Sequence, residues 1–353
     1  MKGSQILLDH MGERQAAALV EDGKLQDLFL ETDLPAPGTI YRAVADRPVK
    51  GQGGMFLKTP DGPAFLRQVK GLAPGQTLLV QVSGFAEAGK AIPVTSKILF
   101  KSRYVIVTPD APGLNISRSI KNDDRRDALL QIIREGLDSF EYGMILRSSC
   151  ADADDEDILD DAQNMLGLAS AVMADQDGAP ELLVEADNPH TLGWREWTAP
   201  ADVVTEAGCF ETHGVLDMIE DLKSPAVRID GGHYYVELTR AFVTVDVNTG
   251  KDTSPAAGIK ANIAMARDLP RQLRLRGLGG QIVIDPAPMP KKDRKTVESA
   301  LKAALRKDSV ETNFVGWTTM GLIELQRARV RVPFKKLEND KNIRFAVCSR
   351  TRR

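Results

Sequence analysis

Apolar and polar residues alternate along the first third of the chain, in short runs separated by glycine and proline. In RQAAALVEDGKLQDLFLE the alternation runs on both sides of Asp22-Gly23, a pair typical of a hairpin turn. Five more alternating runs follow: GTIYRAVAD, GGMFLKTP, GPAFLRQV, QTLLVQVS and KAIPVTSKI. Short strands this close together predict a small barrel of the oligonucleotide-binding (OB) type, although an SH3-like barrel has similar strand spacing.

Beyond Tyr104 the apolar residues recur every three or four positions, which is typical of amphipathic helices. One helix is predicted over DDRRDALLQIIREGL and another over ILDDAQNMLGLASAVMAD. EYGMILRSS and ELLVEA are predicted as strands. Residues 185–210 show no clear period, and we expect them to be irregular.

The last third alternates strands with helices. HYYVEL and RAFVTVDV are predicted as a pair of strands, followed by a turn at 248–250. A helix is predicted over 256–276, with Pro270 expected to kink it, and another from Asp293 onward. QIVID is a short buried strand between these helices. GLIELQRARVRV closes this part as either strand or helix, because its periodicity does not decide.

The chain has 353 residues, of which 42% are hydrophobic and 27% charged. This length predicts two or three folded units. No apolar run approaches the roughly 20 residues that span a bilayer, and charge interrupts the first residues too early for a signal peptide. We therefore expect a cytoplasmic protein without a membrane partner. Cys150, Cys209 and Cys348 form no CxxC pair, so buried thiols are expected rather than a zinc knuckle or a disulfide framework.

The net charge of −3 hides an asymmetry along the chain. Residues 152–161 carry seven acids, whereas residues 326–353 carry ten lysines and arginines against two acids. A basic tract can form a phosphate-binding surface even in a chain without net positive charge. The same pattern is typical of a solvated tail, which is the favoured interpretation for the last ten residues.

Two hydrophobic strands end in aspartate, FVTVDVN at Asp246 and QIVID at Asp285. A carboxylate at the end of a buried strand is costly unless something compensates it. Asn248 is two residues from Asp246, so both side chains point to one side of an extended strand. Two carboxylates and an amide oxygen form an all-oxygen site that suits Mg²⁺. The alternative is that either aspartate caps a helix or turn, as Asp-Pro often does at 285–286.

Three longer segments carry a resemblance to a known family: RIDGGHYYVELTRAFVTVDVNTG, RQLRLRGLGGQIVIDPAPM and TTMGLIELQRARV. They resemble the catalytic core of the ribonuclease E/G family, the second over nearly every position. The resemblance implies a Mg²⁺-dependent endoribonuclease that cuts single-stranded RNA in RNA processing or decay, with Mn²⁺ able to substitute. Asp246 and Asp285 would ligate the metal and Asn248 would position them. The metal would activate a water and stabilise charge on the scissile phosphate.

The resemblance also implies an α/β fold, with a mixed-sheet DNase I-like catalytic domain, an inserted OB-type β-barrel and a 5′-end sensor region. Residues 150–225 match the family least. The expected segments are N-terminal strands packing on the core (1–35), the RNA-binding barrel (36–101), the sensor-like region (102–190), a shortened RNase H-like segment (191–225), the catalytic domain (226–336) and a basic tail (337–353).

Further positions match RNA-binding residues of the family. Phe56 in GGMFL and Phe65 in PAFL would stack bases, and Lys90 in AGKA would meet the RNA backbone. Without the resemblance, both phenylalanines would be assigned to the barrel core. Arg327 and Arg329 are expected at phosphates, with ordinary exposed arginines as the alternative.

The run YGMILRSS is similar to the family's GLIVRTA segment, which binds the 5′-monophosphate of the RNA. Arg147 and Ser148 take the places of its arginine and threonine, and a guanidinium fork with a hydroxyl suits a terminal phosphate. Ser102 and Ile106 take the places of a glycine and a valine of the same pocket. The resemblance therefore predicts that a 5′-monophosphate speeds cleavage.

The chain departs from the family at the CPxC zinc link and at the small C-terminal dimerisation domain, for which we find no counterpart. We therefore expect no zinc, and any self-association by another route. Two other functions stay open: a catalytically weak RNA-binding protein of the same fold, and a scaffold subunit of an RNA-degradation complex. Cleavage that needs Mg²⁺ separates the nuclease from the binder, and indifference to Asp246→Ala would indicate the scaffold.

Overall fold

The structure is a computed structural model that describes residues 3–49, 51, 53–137, 141–252, 254 and 256–337. The chain divides into two compact units. We call Met1–Glu31 with Ala201–Arg353 the sheet unit, and Thr32–Pro200 the barrel unit. None of the helices in the described ranges combines the length and apolar character that a membrane span requires.

Three antiparallel strands open the sheet unit: β1 (Ser4–Met11), β2 (Arg14–Glu21) and β3 (Lys24–Leu30). Asp22 and Gly23 join β2 to β3 with φ of 48° and 74°. A two-residue turn of type I′ needs a positive φ at both central positions, which Asp-Gly tolerates. The predicted hairpin is confirmed.

Five strands of the barrel unit close into a barrel: β4 (Ile40–Val49), β5 (Gly54–Thr59), β6 (Gly62–Leu66), β7 (Thr77–Val82) and β8 (Ile92–Thr95). Their order is β4-β5-β6-β8-β7, and β7 pairs back onto β4. The β6–β8 pair is parallel and the others are antiparallel. All five predicted strands are present, and the closed barrel is consistent with the OB type.

A small sheet with two helices completes the core of the barrel unit. Helix α1 begins after Asn122, whose side chain accepts from the Arg125 backbone N–H. Leu129, Ile133 and Ile158 are fully buried against the sheet, as the helical period predicted. The elements are β9 (Phe100–Lys101), β10 (Val105–Thr108), β11 (Leu114–Ile116), α1 (Asp123–Gly136), β12 (Gly143–Leu146) and α2 (Asp155–Ala174).

The stretch 185–210 is more regular than its sequence pattern suggested. After β13 (Glu181–Val184), which pairs with β4, the chain forms α3 (Pro189–Glu196) and then β14 (Asp202–Val204). Asn188 caps α3 by accepting from the Thr191 N–H at 2.9 Å, and Pro189 opens its first turn. Asn-Pro is therefore the local signal that was overlooked, because an N-cap asparagine before proline favours a helix start.

Returning to the sheet unit, β14 pairs in parallel with β1, and two short helices pack beneath β1–β3. These helices are α4 (Cys209–Thr212) and α5 (Val215–Asp221). Cys150 and Cys209 are buried free thiols, as expected, whereas Cys348 and residues 338–353 of the predicted basic tail lie outside the described residues.

The main feature of the sheet unit is a six-stranded mixed sheet in the order β15-β16-β17-β18-β20-β19. Only β17 and β18 run parallel, because α6 crosses over between them. The segment GLIELQRARVRV, for which the periodicity left strand and helix open, contains strand β20. The elements are β15 (Ala226–Ile229), β16 (Gly232–Leu238), β17 (Val243–Thr249), α6 (Ala257–Leu275), β18 (Gly280–Asp285), α7 (Arg294–Lys307), β19 (Thr312–Trp317), β20 (Ile323–Arg327) and α8 (Phe334–Leu337).

One face of the mixed sheet is buried against α6 and α7. Val245 and Ile284 of the central strands share a core with Leu269 of α6 and Leu301 of α7. Residues at alternate positions point to the opposite, open face. The fold is therefore mixed α/β, while the six-segment division of the chain stays a prediction.

Candidate active site and nucleic-acid contacts

Asp246 and Asp285 lie side by side on the two parallel strands of the mixed sheet. They are Cα partners in the β17–β18 ladder, and neighbouring strands lie about 4.8 Å apart. Because Val245 and Ile284 are buried on the helix side, the two aspartates point to the open face, where both are exposed. The register thus brings together the two carboxylates on which the metal hypothesis depends.

Asn248 lies on the same face of β17 as Asp246. Its Nδ2 donates to Oδ2 of Asp246 at 3.0 Å, which restricts the orientation of that carboxylate. The backbone of Asn248 is held close to the preceding strand, since a Cβ on Gly232 would lie 2.1 Å from the Asn248 carbonyl oxygen. The second glycine of RIDGG is therefore required for this strand pair.

Asn262 fixes the chain just after Asp285. This side chain of α6 is fully buried. Its Nδ2 donates to the Ala287 carbonyl oxygen at 2.9 Å, and its Oδ1 accepts from the Ala287 N–H at 2.9 Å. The residue was not selected from the sequence, although an asparagine on the apolar face of a helix is a usable signal because a buried amide needs partners.

The donors on the open face fit a hard divalent cation. Two carboxylates and one amide oxygen are all oxygen ligands, and Mg²⁺ takes few protein ligands while keeping water or phosphate oxygens. Among the residues that the structure describes, no three His, Cys, Asp or Glu side chains gather into a metal-binding group. The side chains on the open face that would hold such a cation are Asp246, Asp285 and the amide oxygen of Asn248.

Two aromatic side chains that were not selected from the sequence share the open face. Tyr235 is the Cα partner of Asp246, and His233 is the Cα partner of Asn248. Their rings meet edge to face with centroids 5.3 Å apart. The alternation in HYYVEL carries the signal, because Tyr234 between them is fully buried and so sends both neighbours outward.

The two candidate phosphate-binding arginines differ in position. Arg327 is 2% exposed, and its Nη1 donates to Asp308 at 2.5 Å and to Thr312 at 2.6 Å. Its expected RNA contact is corrected to a structural ion pair, because a buried guanidinium held in this way does not face RNA. Arg329 is exposed with its guanidinium over Gly280, at the opposite end of β18 from Asp285 and roughly 17 Å away at the rise of a strand.

Phe56 and Phe65 form an aromatic pair on the outside of the barrel. They are Cα partners on β5 and β6, with ring centroids 5.3 Å apart. Met55 and Leu57 on either side of Phe56 are buried in the barrel core, so the two rings do not belong to it. The Arg47 guanidinium lies 5.1 Å from the Phe56 ring centroid. Lys90 is exposed in the loop before β8 and pairs with Glu87 at 2.9 Å.

Arg147 directly follows β12 and is partly buried, whereas Ser148 is exposed at the start of a 3₁₀ turn over Ser148–Ala151. The Arg147 guanidinium donates to the Ser102 backbone oxygen and to Glu196 Oε2, the latter at 2.9 Å. The Ser102 hydroxyl donates to Asp161 rather than facing Arg147. Ile106 is half-buried on β10.

Glu196, the last residue of α3, is the unexpected member of this group. Its carboxylate also contacts Lys101 at 2.8 Å and Arg195 Nε at 2.7 Å. Burial would raise the pKa of Glu196, but Lys101, Arg195 and Arg147 lower it to about 2. The sequence pattern missed this residue because the helix that carries it was not predicted.

A match to a family model shows how the chain is related to known proteins. The model described as the ribonuclease E/G family matches residues 100–201 and 201–330, which include Arg147 with its partner Glu196 and the pair Asp246 and Asp285. The chain belongs to the ribonuclease E/G family. The resemblance seen in the sequence motifs is thereby confirmed.

Curated members of the ribonuclease E/G family align with almost the whole chain. Ribonuclease G of Salmonella typhimurium (strain SL1344) and of Escherichia coli (strain K12) are each 26% identical over 93% of this chain and 80% of their own length. Ribonuclease E of Nostoc sp. (strain PCC 7120) is 25% identical over 90% of this chain. That alignment covers 55% of the Nostoc protein, so the chain spans about half of this longer relative.

Proposed function

We propose that the chain cuts single-stranded RNA with a divalent cation held between Asp246 and Asp285. As a member of the ribonuclease E/G family, the chain is an endoribonuclease, a hydrolase acting on RNA phosphodiester bonds. The observation that carries the metal proposal is the register that makes Asp246 and Asp285 Cα partners on parallel strands. Mg²⁺ is the proposed cation, with Mn²⁺ as a substitute and no zinc.

The roles of the site residues follow from their contacts. When bound, the cation supplies Lewis acidity at the scissile phosphate and at the attacking water. Asp246 and Asp285 hold it on the open face, and Asn248 orients Asp246 through its 3.0 Å hydrogen bond. Asn262 acts at a distance, as a positioning residue that fixes the backbone after Asp285. The proposed products carry a 3′-hydroxyl and a 5′-phosphate.

RNA binding is assigned to side chains of both units. We assign base stacking to Phe56 and Phe65, because outward rings accept any base and the nearby Arg47 adds positive charge. Lys90 and Arg329 are assigned to the RNA backbone, and Tyr235 to a base or sugar near the cation. Arg147 and Ser148 remain the proposed contacts for a 5′-terminal phosphate.

The architecture proposed for these units follows the family. The mixed sheet is proposed as a DNase I-like catalytic domain and the region around Arg147 as a 5′ sensor. The cytoplasmic location and any self-association without a zinc link stay predictions.

Metal add-back tests the proposed function. A 3′-labelled, unstructured RNA is incubated with the full chain in EDTA, then with excess Mg²⁺ or Mn²⁺, and product ends are mapped. Cleavage that is absent in EDTA and restored by Mg²⁺, leaving 5′-phosphates, is expected. Binding without cleavage in every metal would instead indicate the RNA-binding alternative.

A second readout follows the cation itself. Titration of Mn²⁺ by electron paramagnetic resonance should find a site in the wild-type chain that Asp246→Asn weakens at least about tenfold, which is about 1.4 kcal/mol. Equal Mn²⁺ binding by both proteins would place the metal elsewhere.

A further inference from the structure

Three basic side chains of the barrel unit converge on a single carboxylate. Lys101 Nζ lies 2.8 Å from Glu196 Oε1, Arg195 Nε lies 2.7 Å from the same oxygen, and Arg147 Nη2 lies 2.9 Å from Oε2. Arg147, Arg195 and Glu196 are partly buried, the last 23% exposed, whereas Lys101 is exposed. An arrangement of cations around one oxyanion is the arrangement that a phosphate group requires.

We call Lys101, Arg147, Arg195, Glu196 and Asp187 the Glu196 pocket. The balance of charges in this pocket favours the binding of an anion. Lys101, Arg147 and Arg195 face two carboxylates, Glu196 and Asp187, and Asp187 pairs with Arg195 alone. Glu196 is therefore the anion that compensates Arg147 and Lys101. If its carboxylate moved away, these two cations would lose the acidic partner shown here.

The position of Glu196 is held by its helix. Arg103 donates to the Trp194 backbone oxygen and stacks on the Trp194 ring at 3.8 Å. Arg147 also donates to the Arg195 backbone oxygen at 3.1 Å. The end of α3 is thus fastened to the strands that carry Lys101 and Arg147, and its carboxylate is kept at high local concentration.

We propose that Glu196 is a built-in competitor for the phosphate monoester at the 5′ end of RNA. This inference rests on the proposed 5′-phosphate role of Arg147. A 5′-phosphate must displace a carboxylate that is already ion-paired and tethered, so its own contacts are offset by those it breaks. Glu196 therefore weakens the preference of the wild-type chain for 5′-phosphorylated over 5′-hydroxyl RNA, and the acid at position 196 sets the size of that preference.

The test compares binding of two RNAs to the full chain in EDTA, where cleavage does not interfere. Two 3′-fluorescein pentanucleotides of the same sequence, with a 5′-monophosphate or a 5′-hydroxyl, are titrated by fluorescence anisotropy. The ratio of their Kd values should be within about twofold for wild type. Glu196→Gln should bind the phosphorylated RNA about tenfold more tightly than the hydroxyl RNA, a gain of about 1.4 kcal/mol.

Matched variants distinguish displacement of the Glu196 carboxylate by the phosphate from a general effect of removing one negative charge. Asp187→Asn removes the same charge from the same pocket but contacts Arg195 and not Arg147, so its ratio should stay near one. Adding Arg147→Ala to Glu196→Gln should return the ratio to one. Glu196→Asp keeps the charge but shortens the side chain, and should give an intermediate ratio even if Glu196→Gln folds poorly.

Two results would overturn the inference. The first is a wild-type chain that already prefers the 5′-phosphate strongly and loses this preference in Glu196→Gln, which would make Glu196 a support for Arg147. The second is an equal rise in Asp187→Asn and Glu196→Gln. Since all of these assays measure binding in EDTA, a failed nuclease assay leaves them valid, and a failed Glu196 test leaves the metal proposal standing.

Discussion

Charges are balanced differently in two regions of the protein: the open face with Asp246 and Asp285, and the Glu196 pocket. On the open face, two carboxylates lie on adjacent strands, and the hydrogen bond between side chains there comes from the neutral amide of Asn248. In the Glu196 pocket, three cations surround one carboxylate that the fold itself provides. Adjacent like charges need a counter-charge from outside, whereas in the pocket Glu196 and Asp187 already supply two negative charges to the three cations. The proposals for the two regions differ accordingly: the first would require a ligand, and the second would oppose one.

The largest effect should come from breaking the uncompensated pair. We expect Asp285→Asn to lower the cleavage rate in Mg²⁺ about 10⁴-fold, roughly 5 kcal/mol of transition-state stabilisation, because one of two anionic ligands is lost. Single-turnover cleavage of a labelled RNA measures this. Folding and RNA binding should be retained, since the Asp285 side chain is exposed.

Asp202→Asn is the control for that experiment, since it removes an exposed strand aspartate of the same unit from a different sheet. It should cleave at the wild-type rate. If Asp285→Asn cut RNA within tenfold of wild type, the assignment of the metal to this pair would be abandoned.

The next largest effect, on stability, is expected at the ion-pair cluster of Asp308, Arg274 and Arg327. Asp308 is fully buried and pairs with Arg274 and Arg327. Asp308→Ala leaves the buried guanidinium of Arg327 and the partly buried one of Arg274 without this partner, and should lower the free energy of unfolding by about 3–5 kcal/mol. Urea denaturation measures it, and the exposed Glu311→Ala should change stability by less than about 0.5 kcal/mol. A mild loss in Asp308→Ala would return Arg327 to the candidates for RNA binding.

A smaller loss is expected at the Glu196 pocket, with a distinctive pH dependence. The pKa of Glu196 falls from 4.5 to about 2 despite burial, because of Lys101, Arg195 and Arg147. The ionised form thus stabilises the fold above pH 4.5, and this stabilisation is lost as the pH falls through about 2. Glu196→Gln should cost on the order of 2 kcal/mol at pH 7. Urea titrations should show the difference between the two proteins narrowing below pH 4.5; a pH-independent difference would contradict it.

The smallest effect should come from the outward aromatic pair. Phe56→Ala should weaken binding of a single-stranded RNA about tenfold, the lower end of the 1–3 kcal/mol of a stacked base. The barrel should stay folded, because Phe56 lies outside its core. Fluorescence anisotropy measures the binding. Phe56→Leu keeps apolar volume without the ring, and wild-type affinity in that variant would argue against stacking.

Alternation and helical period were sufficient for most elements. The barrel strands, the Asp22-Gly23 hairpin and helices α1, α2, α6 and α7 follow from local patterns, because each element buries one side in a core. The aspartates stood out because a charge at the end of an apolar strand is costly, but the resemblance to the family was needed to favour a metal site over a cap or turn. The sequence around each aspartate does not show that the two side chains come together, because β17 and β18 are separated along the chain by a whole helix.

What the sequence pattern missed was short or depended on partners. Helix α3 has eight residues, too few for a clear period, so Glu196 and its contact with Arg147 were not foreseen. Arg327 and Arg329 have similar sequence surroundings. Arg327 is nevertheless buried in an ion pair with Asp308, whereas Arg329 is exposed. Ion-pair partners of this kind come from distant positions, and a local pattern carries no information about them.

The spacing of Asp246 and Asp285, the two proposed metal ligands, is set by a hydrogen-bonded strand pair and not by a loop. The crossover between β17 and β18 can gain or lose residues without changing that spacing, as long as the same rungs stay paired. A slip of a single rung is different, because it would carry one carboxylate through the sheet and into the apolar layer beneath. Insertions and deletions should therefore be tolerated around this centre but not within either strand.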